Sequence, residues 1–255
     1  VPGEIAVLVN PAAGGGRSLR RLAPAVRRLR EGGHPVTVLA GRSARETLER
    51  ARAAVAARPR ALAAFGGDGL VHLALQAVAG TGVPLGLLPA GTGNDFAAAL
   101  GIPRDPVAAA SVVLRGAAAP FDAARVVAGA RAGEWFAGVM ACGFDSRVNE
   151  RANRMTLPGG TARYLVATAA ELRSFRPIPF SVTLDLPGGR EVVEGEAMLV
   201  AVGNTRSYGA GMRICPAADP GDGLLDVTIL RAMPTGRFVR AFPAYTGVPM
   251  WACPR

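Results

Sequence analysis

Short apolar runs alternate with segments of helical period through the first half of the chain. EIAVLVN is such a run, and it leads through PAAGGGR into a basic amphipathic segment around Leu19 to Leu29. PVTVLA is the next, followed by SARETLERARAAVAA, a predicted helix with Ser43 at its N-cap and Glu46 in the capping-box position. RALAAF then precedes LVHLALQAV, and VPLGLLPA precedes a turn, GTGND, that opens a helix at FAAAL. This alternation predicts a parallel sheet with helices on its faces. In such sheets ligands bind beyond the carboxyl ends of the strands. The three glycine-rich turns all follow strand ends, so one edge of the sheet should gather them.

The texture changes after DPVAAASVVLRGAAAP. FDAARVV and EWFAGVMACG are expected to pair around the turn AGARAG, and a helical stretch is expected from about Asp145 to Phe175. FSVTLDL and EVVEGEAMLVAVGN flank PGG as a second hairpin, and LLDVTIL supplies a further strand. The boundary is placed near Pro120: an α/β domain over 1–120, then a mostly antiparallel β domain over 121–255.

With 255 residues and half of them hydrophobic, the chain can bury a sizeable core. The net charge of +10 comes from 29 basic residues, none of them lysine. Compositional bias toward arginine accounts for part of this; the functional reading is attraction to phosphates, nucleic acid or acidic lipid headgroups. The missing lysines exclude a lysine-bearing P-loop, a protein-kinase ATP site and Schiff-base chemistry. Three separated cysteines, Cys142, Cys215 and Cys253, exclude a disulfide framework and a Cys-rich zinc site. Two histidines are too few for a His-based metal centre. VPGEIAVLVN lacks the pattern of a signal peptide, and glycines and prolines break the uncharged run from Gly69 to Asn94, so no membrane span is expected. The expectation is a cytoplasmic protein.

Each glycine turn has a bland and a sharp reading. In NPAAGGG, Asn10 can bond neighbouring backbone, and Gly14 to Gly16 let amides approach a phosphate; the bland reading is a flexible loop. In GGDG, residues 66–69, Asp68 either caps the following helix or holds Mg²⁺ against nucleotide phosphates. In PAGTGND, Asn94 or Asp95 serves as a plain N-cap for FAAAL, or joins the ligand site with Thr92.

NPAAGGG, FGGDG and LPAGTGNDFAAALG, in this order and spacing, resemble the catalytic domain of the diacylglycerol kinase and sphingosine kinase family of lipid kinases, the bacterial branch above all. The likeness continues through ACGFDSRV and VGNTRSYGAGMRICPAADPGDGLLDVTIL and covers nearly the whole chain. It implies an α/β domain like that of NAD kinase and phosphofructokinase, a β-sandwich-like domain after it, and an ATP site between them. It also implies transfer of the γ-phosphoryl group to a lipid hydroxyl. The nucleotide-binding residues carried over are Asn10, Pro11, Gly14, Gly67, Asp68, Gly69 and Thr92, and Asn94 of the third turn is grouped with them. A structural Mg²⁺ is implied at DPGDGLL, with the side chain of Asp222 and mainly backbone oxygens of Asp219 and Leu224; the bland reading is an Asp-Gly turn before a strand. The implied cofactors are ATP and Mg²⁺. The implied partner is a lipid at the inner membrane surface, met peripherally; nucleic acid is not among the partners, and the pattern is open to a homodimer.

Two departures stand out. The family's usual threonine after GGDG is Leu70 here, which removes a hydroxyl from the expected phosphate cradle. The family's C-terminal Asp-Gly-Glu motif, whose acidic residue is expected to deprotonate the acceptor, is absent, and the chain reads as shortened or altered in frame after Gly247. Asp68 is then the motif carboxylate nominated as general base. The other readings are a catalytically impaired nucleotide- or lipid-binding relative, and a kinase of a soluble substrate such as NAD.

Overall fold

A computed structural model of the protein describes residues 3–10, 19–91, 93–155, 161–209, 211–234 and 236–238. The first half contains β1 (Ile5–Val9), α1 (Leu19–Glu31), β2 (Val36–Ala40), α2 (Ala44–Ala56), β3 (Ala61–Gly66), α3 (Asp68–Val78), β4 (Leu85–Pro89), α4 (Asp95–Ala99) and α5 (Pro106–Arg115). The four strands form a parallel sheet in the order β2-β1-β3-β4. β1 and β3 are central and buried at every position, as their uninterrupted apolar sequences require. Helices cover both faces. α2 and α3 bury Ala51, Val55, Leu70 and Ala74 on one side, and α1 and α5 bury Ala25, Leu29, Ala109 and Ala110 on the other.

Local signals set the helix starts. The Ser43 hydroxyl accepts from the Glu46 amide at 3.1 Å, and Glu46 accepts from the Arg42 amide at 2.8 Å. Asp105 caps α5 by accepting from the Ala108 amide at 2.9 Å, with Pro106 in the first turn. α3 starts two residues before the apolar run suggests, at Asp68, because Gly67 supplies an extended N-cap.

The second half contains β5 (Ala124–Arg125), β6 (Trp135–Phe136), β7 (Val139–Gly143), α6 (Phe144–Arg154), α7 (Thr161–Ser174), β8 (Ile178–Leu186), β9 (Gly189–Gly203), β10 (Ser207–Tyr208), β11 (Met212–Arg213) and β12 (Asp226–Arg231). It is a β-sandwich-like part in which long β9 pairs antiparallel with β12, β7 and β8. Phe144 stacks edge-on against Phe175 and Phe238, closing the core between α6 and the sheet.

The expected pairing of FDAARVV with EWFAGVMACG is divided between two sheets. Only β5 and β6 pair with each other, while β7 crosses to β9. Asn204 makes the division. Its amide N–H donates to the Gly138 carbonyl at 2.8 Å and its side chain donates to the Ala137 carbonyl at 3.1 Å, just where the strand changes partners. The expected helical stretch contains two helices, α6 and α7. Among the described residues no helix is long and apolar enough to cross a membrane.

Candidate functional site

β3 and β4 end side by side, and the Ala90 amide donates to the Gly66 carbonyl at 2.9 Å. The turns that follow are therefore neighbours, as the βα order predicts. They meet glycine on glycine. A Cβ at Gly67 would lie 3.2 Å from the Gly91 Cα, and one at Gly91 would fall well inside van der Waals contact distance of the Gly67 Cα. Gly69 differs, since a Cβ there would meet nothing within 4 Å among the described residues. Of these three glycines, two are required by contact between turns and one opens onto free space.

Asp68 is the first residue of α3, yet its carboxylate serves another helix. Oδ1 accepts from the Phe96 amide at 3.0 Å, in the first turn of α4. Asn94 occupies the N-cap position of α4 in the left-handed region, with φ 60° and ψ 39°, and does not cap it with its side chain. Instead its Oδ1 accepts from the Gly91 amide at 3.0 Å and its Nδ2 donates to the Gly91 carbonyl at 2.8 Å. Asn94 thus closes the third turn on itself, and Asp68 binds that turn's helix to the second. Gly67 has no side chain with which to cap α3, so the positive end of that helix is left to other groups.

These turns open on a cleft of about 280 Å³ between the two halves of the chain. Asp68 and Asp95 supply its carboxylates, and both are half-buried. Leu75, Leu85, Phe96, Phe136 and Val139 line it with apolar surface. Thr205, Ser207 and Tyr208 approach from the second half. Two acidic groups at one end repel a phosphate unless a cation stands between them. Asp68 directs one oxygen to the Phe96 amide, while Oδ2 lies toward Gly93. Such all-oxygen donors suit a hard cation such as Mg²⁺.

Leu70 does not face this cleft. Its side chain is 8% exposed and packs in the α/β core, and its amide donates to the Gly67 carbonyl at 2.9 Å. Asn10 ends β1 exposed. Pro11, Gly14 and Thr92 lie outside the described residues.

Asp219, Asp222 and Leu224 lie together on an exposed turn before β12. Asp219 Oδ1 accepts from the Gly221 amide at 3.1 Å, and Asp222 Oδ1 from the Leu224 amide at 2.9 Å. A third carboxylate, which the motifs did not single out, joins them: Asp122 Oδ2 accepts from the Gly223 amide at 2.7 Å. The Asp122 amide in turn donates to the Pro220 carbonyl at 2.8 Å. Among the described residues no three His, Cys, Asp or Glu side chains converge as metal ligands. The donors that the family resemblance implies at this turn, one carboxylate with backbone carbonyls, are oxygens of the hard kind that Mg²⁺ takes.

His72 also lines the cleft and was not among the candidates; Asp95, which the sequence offered either as an N-cap or as part of the ligand site, lines it too. His72 could have been found from its spacing, since it stands four residues after Asp68 on α3 and shares its face. Asp122 and Asn204 had no local signal, because their side-chain partners lie 67 to 101 residues away.

The chain matches two family models. Residues 4–126 match the diacylglycerol kinase catalytic domain, and residues 138–248 match the YegS C-terminal NAD kinase beta sandwich-like domain. It is 43% identical over 242 residues to a diacylglycerol kinase of Mycobacterium tuberculosis, covering 94% of this chain and 77% of that protein. A diacylglycerol kinase of Bacillus subtilis is 28% identical over 239 residues, covering 92% of this chain and 76% of that one. The crystal structure of a diacylglycerol kinase from Bacillus anthracis str. Sterne superposes with a TM-score of 0.72 at 25% identity, over 98% of this chain and 79% of the other. The fold, both matched segments and the near full-length identity agree: the chain belongs to the diacylglycerol kinase family of lipid kinases.

Proposed function

We propose that the chain transfers the γ-phosphoryl group of ATP to a hydroxyl of a diacylglycerol-like lipid, with Mg²⁺ as the accompanying cation. The observation that carries this reading is the position of Asp68, at the head of α3 and on the wall of a cleft that is acidic at one end and apolar along its side. The acidic end suits a cation-bearing triphosphate. The apolar side, with Leu75, Leu85, Phe96 and Phe136, suits the glycerol-ester end of a lipid.

The nucleotide side is assigned to residues 1–120, through Asn10, Pro11, Gly14, Gly67, Gly69, Thr92 and Asn94. The acceptor side is assigned to 121–255. Mg²⁺ supplies charge neutralisation for the phosphates. Asp68 Oδ2 is the oxygen assigned to that cation or to the acceptor's proton, since Oδ1 is engaged with the Phe96 amide. Asp219, Asp222 and Leu224 would hold a second, structural Mg²⁺ at their turn. Contact with the membrane is peripheral and draws on the basic surface.

Asp68→Asn tests the reading. The amide oxygen can still accept from the Phe96 amide, so α4 stays capped while the negative charge is lost. Transfer of labelled phosphate from ATP to diacylglycerol vesicles should fall by about 10²- to 10⁴-fold. An unchanged rate would remove Asp68 from the chemistry.

A further inference from the structure

Residues 68, 72 and 76 fall on one face of α3, and each reaches a different segment. Asp68 takes the Phe96 amide, His72 Nε2 lies 3.5 Å from Glu134 Oε2, and Gln76 joins Trp135. The last contact is two-sided. The Trp135 amide donates to Gln76 Oε1 at 2.8 Å, and Gln76 Nε2 donates to the Trp135 carbonyl at 2.8 Å. Nε2 also donates to the His72 carbonyl at 3.0 Å, which fixes the side chain against its own helix. One glutamine thus makes the pair of bonds that a neighbouring strand would make to β6.

The residues immediately after Trp135 are the cleft wall, Phe136 to Val139. On their far side Asn204, 1% exposed, donates to the carbonyls of Asp122 at 2.7 Å and Ala137 at 3.1 Å. The wall is therefore held between an amide from α3 and an amide from the β-rich half. Residues 127–137, which include Trp135, lie between the two family matches.

We propose that Gln76 is a positioning residue that sets the distance between Asp68 and the Phe136 wall of the cleft, and hence the alignment of acceptor and phosphoryl donor. Asp68 and Gln76 are two turns apart on one rigid helix, so fixing Trp135 to Gln76 fixes Phe136 relative to the carboxylate. The role in catalysis rests on the lipid-kinase reading; the clamp itself does not. The nucleotide-facing turns are joined by their own contact, Gly67 on Gly91, so loss of the clamp should leave nucleotide binding intact.

Gln76→Leu keeps most of the bulk and removes both bonds, whereas Gln76→Glu keeps the acceptor for the Trp135 amide and loses the donor. Hydrogen exchange at that amide should accelerate clearly in Gln76→Leu and stay slower in Gln76→Glu. Turnover of ATP with diacylglycerol vesicles should fall in Gln76→Leu by about tenfold or more, in the range that a small misplacement produces, with the ATP dissociation constant unchanged. Unchanged exchange in Gln76→Leu would mean there is no clamp. A parallel loss of turnover, ATP affinity and thermal midpoint would reduce Gln76 to a purely structural part and overturn the proposal. Wild-type protein inert toward the vesicles would overturn the kinase reading and the catalytic role with it, while the exchange at Trp135 still decides whether the clamp exists.

Discussion

Asp145 stands in the first turn of α6 with its Oδ2 buried and without a hydrogen-bond partner among the described residues. Burial disfavours the charged form and pushes its carboxyl pKa up to about 6. The folded chain therefore holds this proton more tightly than the unfolded chain, whose aspartates titrate near about 4. The sign follows directly: stability falls as pH rises between about 4 and 6, and the penalty persists above that window. In Asp145→Asn this component of the pH dependence should vanish. Urea midpoints at pH 4 and pH 8 check it, and the wild type should lose more than the variant on going to pH 8. An equal change in both would show that another group carries the pH dependence.

The two glycine turns act as a pair of elements, and substitutions should separate their duties. Gly91→Ala drives a methyl into the Gly67 backbone and should cost about 1–3 kcal/mol, read as a lowered thermal midpoint. Gly69→Ala adds a methyl in open space and should leave the midpoint nearly unchanged while weakening ATP binding. Equal stability in the two variants would contradict the turn-on-turn contact. The strands, the Ser43 cap and the alternation of strand and helix were legible in the sequence because they depend on neighbours a few residues away. The duty of Gly67 was not. A glycine required by another backbone and one required by a ligand read alike until the turn from β4 is placed beside it. The division of 134–143 between two sheets was hidden for the same reason, since Asn204 decides it from more than sixty positions away. Leu70 is the converse case: its departure from the family pattern was plain in the sequence, but its burial in the α/β core required the fold.

At the scale of the whole molecule, a net charge of +10 surrounds a cleft whose own acidic side chains include Asp68 and Asp95. Charge of that sign attracts anionic surfaces in general without directing anions to the acidic end of the cleft. Several arginines are partly neutralised on their helices, as in Arg45–Glu49 and Arg50–Glu46, so the attraction should be diffuse and sensitive to screening. Sedimentation with vesicles containing anionic lipid should show binding at about 0.1 M salt that is largely lost near 1 M, where the screening length shrinks from about 10 Å to about 3 Å. Equal binding to neutral vesicles would rule out charge as the cause. The succession of a parallel-sheet part and a β-sandwich-like part was legible from the change in strand pattern along the chain, whereas the cleft, assembled from residues as distant as Asp68 and Tyr208, emerged only once both halves were in place.

The bond from the Phe96 amide to Asp68 has a thermodynamic consequence. The same carboxylate starts α4 and faces the cleft, so a cation drawing charge from it weakens the bond that orders the helix. By reciprocity, whatever orders α4 by other means, such as the edge-on contact of Phe96 with Phe121, holds the Phe96 amide on that carboxylate and disfavours a cation there. On the proposed function, a cation at Asp68 and the order of the five-residue helix beside it are thus opposite ends of one equilibrium.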